Sequence, residues 1–190
     1  MNIKRLIGII VIAIGIGLIG FSFYARWDTN KENNKSIDKF EEVILEKKKG
    51  KTNESVDLND GIGIISIPKI DLKVIIKEGT DMKTLRRAVG HFEGTPMPWE
   101  NGNFAIAGHR QYTYGEFFNR VDEIETGDLI EIQTLNGKFG YKVDVKKEVE
   151  ATQVEVLDNT PEDKITIVTC VKGGKKRVVL TALKVGDQVN

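Results

Sequence analysis

The chain has 190 residues, enough for one domain of ordinary size with an appendage and too few for two full domains. Its 28 Lys plus Arg balance 28 Asp plus Glu, which excludes the strongly basic face of a nucleic-acid binder. A single cysteine excludes an internal disulfide framework, and two histidines without a Cys/His cluster argue against structural zinc, so no metal and no cofactor are expected.

Residues 1–5, MNIKR, precede an uncharged run from Leu6 to Ala25. As a helix rising 1.5 Å per residue, that run is about 30 Å long and matches the hydrocarbon thickness of a bilayer. It is longer than the apolar core of a cleavable signal peptide and lacks a good A-x-A site after it. It therefore reads as a transmembrane anchor, with Tyr24 and Trp27 at the far interface. Lys4 and Arg5 favour residues 1–5 inside the cell and the remainder outside. Residues 26–60 form a polar linker. Within it SIDKFEEVILEKKKG places Ile37, Phe40 and Ile44 at helical spacing, with Ser36 as candidate N-cap and Gly50 as terminator. Docking on the domain and acting as a spacer remain equally open for this helix.

Residues 61–190 read as one β domain. Runs bounded by Gly and Pro predict strands at 62–68 and 72–79, and Asp81 caps a short helix over 81–89. A Gly/Pro-rich loop leads to a strand at 103–109, a second short helix at 116–124, and strands at 128–134, 138–149, 165–170 and 177–184. Seven or so short strands with small inserted helices imply a closed or nearly closed β-barrel. The basic runs at 47–51 and 172–177 read as a solvated helix end and a hairpin tip.

The only cysteine, Cys170, ends the β-branched run TIVTC just before a Gly-Gly turn. A two-residue turn at Gly173-Gly174 pairs Val171 with Lys176 and Cys170 with Arg177, setting a guanidinium beside the thiol on one face. Alternation puts Cys170, Val168 and Thr166 on that face and Ile165, Ile167 and Thr169 on the other. In NFAIAGHR, Ala105, Ala107 and His109 oppose the bulky Phe104 and Ile106, which leaves room for a ligand beside an imidazole. Thiol, imidazole and guanidinium are the parts acyl transfer needs: a nucleophile, an acid–base group and a cation for the oxyanion. Spacing alone does not bring His109 to Cys170 across 61 positions.

GNFAIAGHR, TIVTC and the Arg that opens the next strand resemble the sortases, membrane-anchored cysteine transpeptidases of Gram-positive surfaces. The similarity covers residues 61–186 and includes ISIPKIDLKVIIKEG, VGHFEGTPMPWENGN and GDLIEI, in that order. Ile167 stands where the family motif usually has leucine. The resemblance implies an eight-stranded sortase-type β-barrel, mainly β with short inserted helices, behind one N-terminal transmembrane helix. It assigns Cys170 as nucleophile, His109 as general acid/base and Arg177 as substrate-positioning group. Ala107, Val168 and Thr169 would bind substrate, and His91 would be structural. The short 149–165 connection is unlike class B and leaves classes A, D and E, of which the Lys/Asn/Glu-rich style and single anchor look most like class D. Implied partners are secreted proteins bearing a Leu-Pro-x-Thr-Gly-like C-terminal sorting signal, a peptidoglycan-precursor amine and the cell membrane, with no nucleic acid. The competing readings are a membrane-anchored cysteine hydrolase and a non-catalytic barrel that binds surface polymers. The Ser-His-Gly-Cys motif of cysteine L,D-transpeptidases is absent.

Overall fold

The computed structural model describes residues 3–50, 61–110, 117–171 and 174–188. Helix α1 (Ile3–Lys48) is followed by strands β1 (Gly63–Ile67) and β2 (Leu72–Glu78), a single turn α2 (Met82–Leu85), then β3 (Val89–His91) and β4 (Asn103–Ala107). Next come β5 (Leu129–Thr134), β6 (Gly137–Glu150), β7 (Lys164–Cys170) and β8 (Lys176–Gln188). The eight strands close into a barrel in the order β1-β2-β3-β4-β7-β8-β6-β5, sealed by the β1–β5 pairing. Only β2–β3 and β4–β7 run parallel.

The barrel matches the expected architecture, with one strand more than the patterning resolved. The patterning predicts the end of a helix and the start of a loop at Val89–His91, but α2 stops at Leu85; all three residues pair with β2, and Gly90 and His91 also pair with β4. Three residues are too few to show a period. Asp81 does cap α2: its carboxylate accepts from the backbone N–H groups of Lys83 and Thr84. The second expected helix reduces to a turn and a short 3-10 segment at Val121–Glu123.

Inside the barrel, Ile65, Ile67, Val74, Ile76, Phe104, Ile106, Ile130, Ile132, Ile165, Ile167 and Leu180 form one core. A second apolar cluster lies outside it. Ile64 and Ile75, paired across β1 and β2, point outward and meet Ile37, Phe40 and Ile44 of α1. The amphipathic stretch therefore docks on the barrel.

The helix does not begin at Ser36. No Gly or Pro interrupts residues 21–49, so the apolar segment runs on as one helix through the polar residues. Ser36 lies inside it and donates its hydroxyl to the Glu32 carbonyl four residues back. Gly50, with φ +68°, follows its last turn. Ala25, Thr29, Asn33, Ile37, Phe40 and Ile44 are buried at steps of three and four, a single stripe facing the barrel.

Asn33 makes the most specific contact of this docking. Its side-chain amide donates to the Lys73 carbonyl (3.1 Å), and its Oδ1 accepts from the Ile75 N–H (3.2 Å). Along that edge of β2 the neighbouring β3 pairs only from Ile76 onward. One carboxamide thus supplies the donor and the acceptor that a strand residue beside Val74 would supply.

Candidate active site

The β4–β7 ladder runs from Asn103 opposite Lys164 to Ala107 opposite Val168, and the Gly108 N–H extends it by donating to the Val168 carbonyl at 3.2 Å. Two residues beyond that last pair, on each strand, come His109 and Cys170. On the other side of β7 the antiparallel partner β8 sets Arg177 opposite Cys170, the pairing expected from the turn. The Val171 N–H donates to the Lys176 carbonyl at 3.1 Å; Gly173 lies outside the described residues, and Gly174 has φ +77°. Three adjacent strand ends therefore carry an imidazole, a thiol and a guanidinium at one rim.

Cys170 and Arg177, paired across β7 and β8, lie on the outer face. Phe104, Ile106, Ile165, Ile167 and Leu180 turn into the barrel core, so Ala105, Ala107, Thr166 and Val168 turn out. Val168 is half-buried and Ala107 nearly buried, and both lie just before the rim. Thr169 has a different role from the one expected. It is buried on the inner side, and its hydroxyl donates to the Gly108 carbonyl at 2.8 Å, tying the cysteine strand to the histidine strand.

Gly108 is required by packing. A Cβ there would lie 2.5 Å from the Phe118 ring, whose own N–H donates to the His109 carbonyl at 3.1 Å. Phe118 is fully buried, so it cannot move aside cheaply.

Cys170, His109 and Arg177 are each half-buried. Burial lowers the His109 pKa below the ordinary imidazole value, and the Arg86 charge lowers it further. The Arg177 guanidinium lies over the β7–β8 turn, donating from Nη1 to the Gly174 and Lys176 carbonyls at 3.0 and 3.1 Å. Among the described residues no group of three His, Cys, Asp or Glu side chains could hold a metal.

A sortase domain family model matches residues 65–185, which is most of the chain and nearly all of the barrel. The chain belongs to the sortase family. Sortase D of Bacillus subtilis is 28% identical over 182 residues, covering 88% of this chain and 89% of that protein. Sortase A of Bacillus anthracis is 28% identical over 205 residues, covering 98% and 97%. Among solved structures, a Clostridium perfringens sortase D5 transpeptidase superposes with a TM-score of 0.72 at 38% identity, over 82% of this chain and 99% of that one. Sortase A from Corynebacterium diphtheriae gives 0.63 at 30% identity over 66% of this chain and 61% of that one. Sortases are cysteine transpeptidases, and this sortase has one cysteine.

Sequence reasoning missed Arg110, the residue after the histidine. Its side chain is buried; Nη1 donates to the carbonyl of Cys170 itself at 3.4 Å, and Nη2 pairs with the exposed Asp122. Nε finds no partner among the described residues. A buried arginine thus clamps the backbone at the thiol from below. Its only signal in the sequence is a charge directly after an apolar strand, which ordinarily reads as solvated.

Asn103, at the start of β4, is fully buried and holds the β6–β7 connection over the outer face. Its amide donates to the Val156 and Asp158 carbonyls, both at 3.1 Å, and its Oδ1 accepts from Thr166 at 2.7 Å. His91 is buried at the barrel end, stacked on Phe104 with ring centroids 5.1 Å apart. The Thr95 hydroxyl donates to the Phe92 carbonyl (2.9 Å), so it accepts from the His91 Nε2–H (2.8 Å). Nδ1 lies 3.0 and 3.1 Å from the Glu78 carboxylate oxygens. Both ring nitrogens are occupied.

Proposed function

We propose that Cys170 is the nucleophile, His109 the general acid/base and Arg177 the group that orients the acyl carbonyl, with Ala107 and Val168 lining the groove. The substrate is a secreted protein with a Leu-Pro-x-Thr-Gly-like signal near its C-terminus. The Cys170 thiolate attacks the threonine carbonyl carbon, and the tetrahedral oxyanion faces the Arg177 guanidinium. The Thr–Gly C–N bond breaks, and the departing amine takes a proton from the His109 imidazolium. A peptidoglycan-precursor amine then attacks the thioester and gives its proton to the neutral imidazole. The new amide forms as the thiolate leaves. The two bonds that Arg177 makes to turn carbonyls are exposed, so little free energy is lost when it exchanges them for the substrate.

Helix α1 anchors the enzyme. Its apolar part is long enough to cross a bilayer, and the charges flanking it put residues 1–5 inside and the barrel outside. Tethering raises the effective concentration of an enzyme whose substrates arrive at the same surface. Among the subclasses, the 38% identity to the Clostridium perfringens sortase D5 favours class D.

The observation that carries this reading is the register: β4, β7 and β8 are neighbours, and their ends bear 109, 170 and 177. Full-length chain in lipid nanodiscs, incubated with a Leu-Pro-x-Thr-Gly peptide library and oligoglycine or diaminopimelate amines, gives an acyl-enzyme and a transfer product by mass spectrometry. Cys170→Ala abolishes both, and Arg177→Ala slows acylation by two or more orders of magnitude, the usual loss of an oxyanion donor, about 10²–10³-fold. A transfer product made by Cys170→Ala, or hydrolysis with no amine transfer at any amine concentration, overturns the assignment.

A further inference from the structure

Because α1 is one helix from the apolar run to its docking site, height above the bilayer can be counted in residues. The apolar run ends at Ala25. Tyr24 and Trp27, their rings 6.3 Å apart, suit the interface, and Lys31 lies over the Trp27 ring. The headgroup layer above is about 5–7 Å thick, which is about four residues of helix. Residues 25–29 therefore lie among headgroups.

The barrel comes down to that level. A cleft between α1 and the segment after α2 is lined by Phe21, Tyr24 and Ala25 on one side and by Arg86 and Arg87 on the other. The docking that fixes this height is specific: the Asn33 carboxamide on β2, the Ile37 and Phe40 contacts, and an ion pair from Arg87 to Glu32 at 2.9 Å. Lys31, Lys83, Arg86 and Arg87 stand here among the carboxylates of Asp28, Glu32, the capping Asp81 and, beside it, Glu93. Lys83, Arg86 and Arg87 are exposed, and an exposed pair such as Arg87–Glu32 is weak enough to be exchanged.

We propose that α2 and the two arginines after it form a phospholipid contact, in which Lys83, Arg86 and Arg87 bind the phosphates of anionic lipids in the bilayer that α1 crosses. The proposal rests on the reading of α1 as a membrane span.

The test uses full-length chain in nanodiscs of zwitterionic lipid with or without phosphatidylglycerol. Trp99→Phe leaves Trp27 as the only tryptophan, and Met82→Cys in a Cys170→Ala background carries a nitroxide at an exposed position of α2. Brominated lipid quenches Trp27, and the nitroxide is shielded from a water-soluble relaxant in anionic discs. Each arginine changed to glutamine shifts the contact equilibrium toward the free form by about fivefold, the worth of one basic residue at an anionic surface. Trp27 quenched with a nitroxide fully open to water in every lipid overturns the contact and leaves the span intact. Trp27 unquenched overturns the span and the contact with it. Equal shielding in both lipids, unchanged by Arg86→Gln and Arg87→Gln, overturns phosphate recognition.

Discussion

At the scale of single residues, two arginines act on the rim from outside the proposed triad. Arg86 disfavours the charged imidazole of His109, adding to the larger effect of burial. Removing the charge in Arg86→Gln raises the His109 pKa, so the histidine-dependent limb of the kcat/KM profile moves to higher pH, and by more at low salt. A limb that stays in place would remove Arg86 from the site's electrostatics. The same depressed value makes the native state bind fewer protons than the unfolded chain. Stability therefore falls as pH drops below about 6.5, the unfolded imidazole value, and on through the lowered folded value. His109→Gln flattens that part of a urea-melt series against pH. Arg110 acts through backbone. Arg110→Met removes a charged hydrogen bond from the Cys170 carbonyl, an effect of about 1.5–3 kcal/mol in urea unfolding, and acylation slows while the KM for peptide changes little.

At the scale of elements, the parallel β4–β7 pair carries the site, and α1 carries the position of the barrel. Both depend on contacts distant in sequence. Asn33→Ala leaves the Ile75 N–H and the Lys73 carbonyl without their partner, and loss of a buried partner costs about 1–3 kcal/mol. Hydrogen exchange at the Ile75 amide should rise while amides of β7 keep their protection. Phe40→Ala opens the same interface by removing a buried ring, at about 3–5 kcal/mol. If exchange in β2 were unchanged in both variants, α1 would be a tether with no role in the fold.

For the whole molecule, α1 is part of the globular unit. A chain beginning at residue 61 uncovers Ile64, Ile75 and Ala88 together, an apolar patch on the outer wall of the barrel. That chain should melt lower and self-associate, whereas one beginning at residue 28 keeps the docked half of α1 and remains monomeric by light scattering. Equal melting temperatures for the two would show the helix to be dispensable.

Local chemistry determined a good deal by itself. Apolar length marks the anchor segment, Asp81 caps α2, and a Gly-Gly turn sets Arg177 opposite Cys170, because each depends on neighbours within about ten residues. Alternation in FAIA and TIVT separates the core face from the outer face for the same reason. The unbroken apolar runs IGIISI and VII carry the docking of α1 as well: strands buried on both faces need a cover outside as well as a core inside. Only the folded barrel decided the rest. The strand that leads into His109 meets the cysteine strand through a parallel pairing across 61 positions, and no local period encodes that register. Thr169 turns inward to bind Gly108, Arg110 is buried under Cys170, and Asn33 completes an edge of β2. Each is a polar side chain whose partner is a backbone group far away in the chain, which a linear reading has no means to supply.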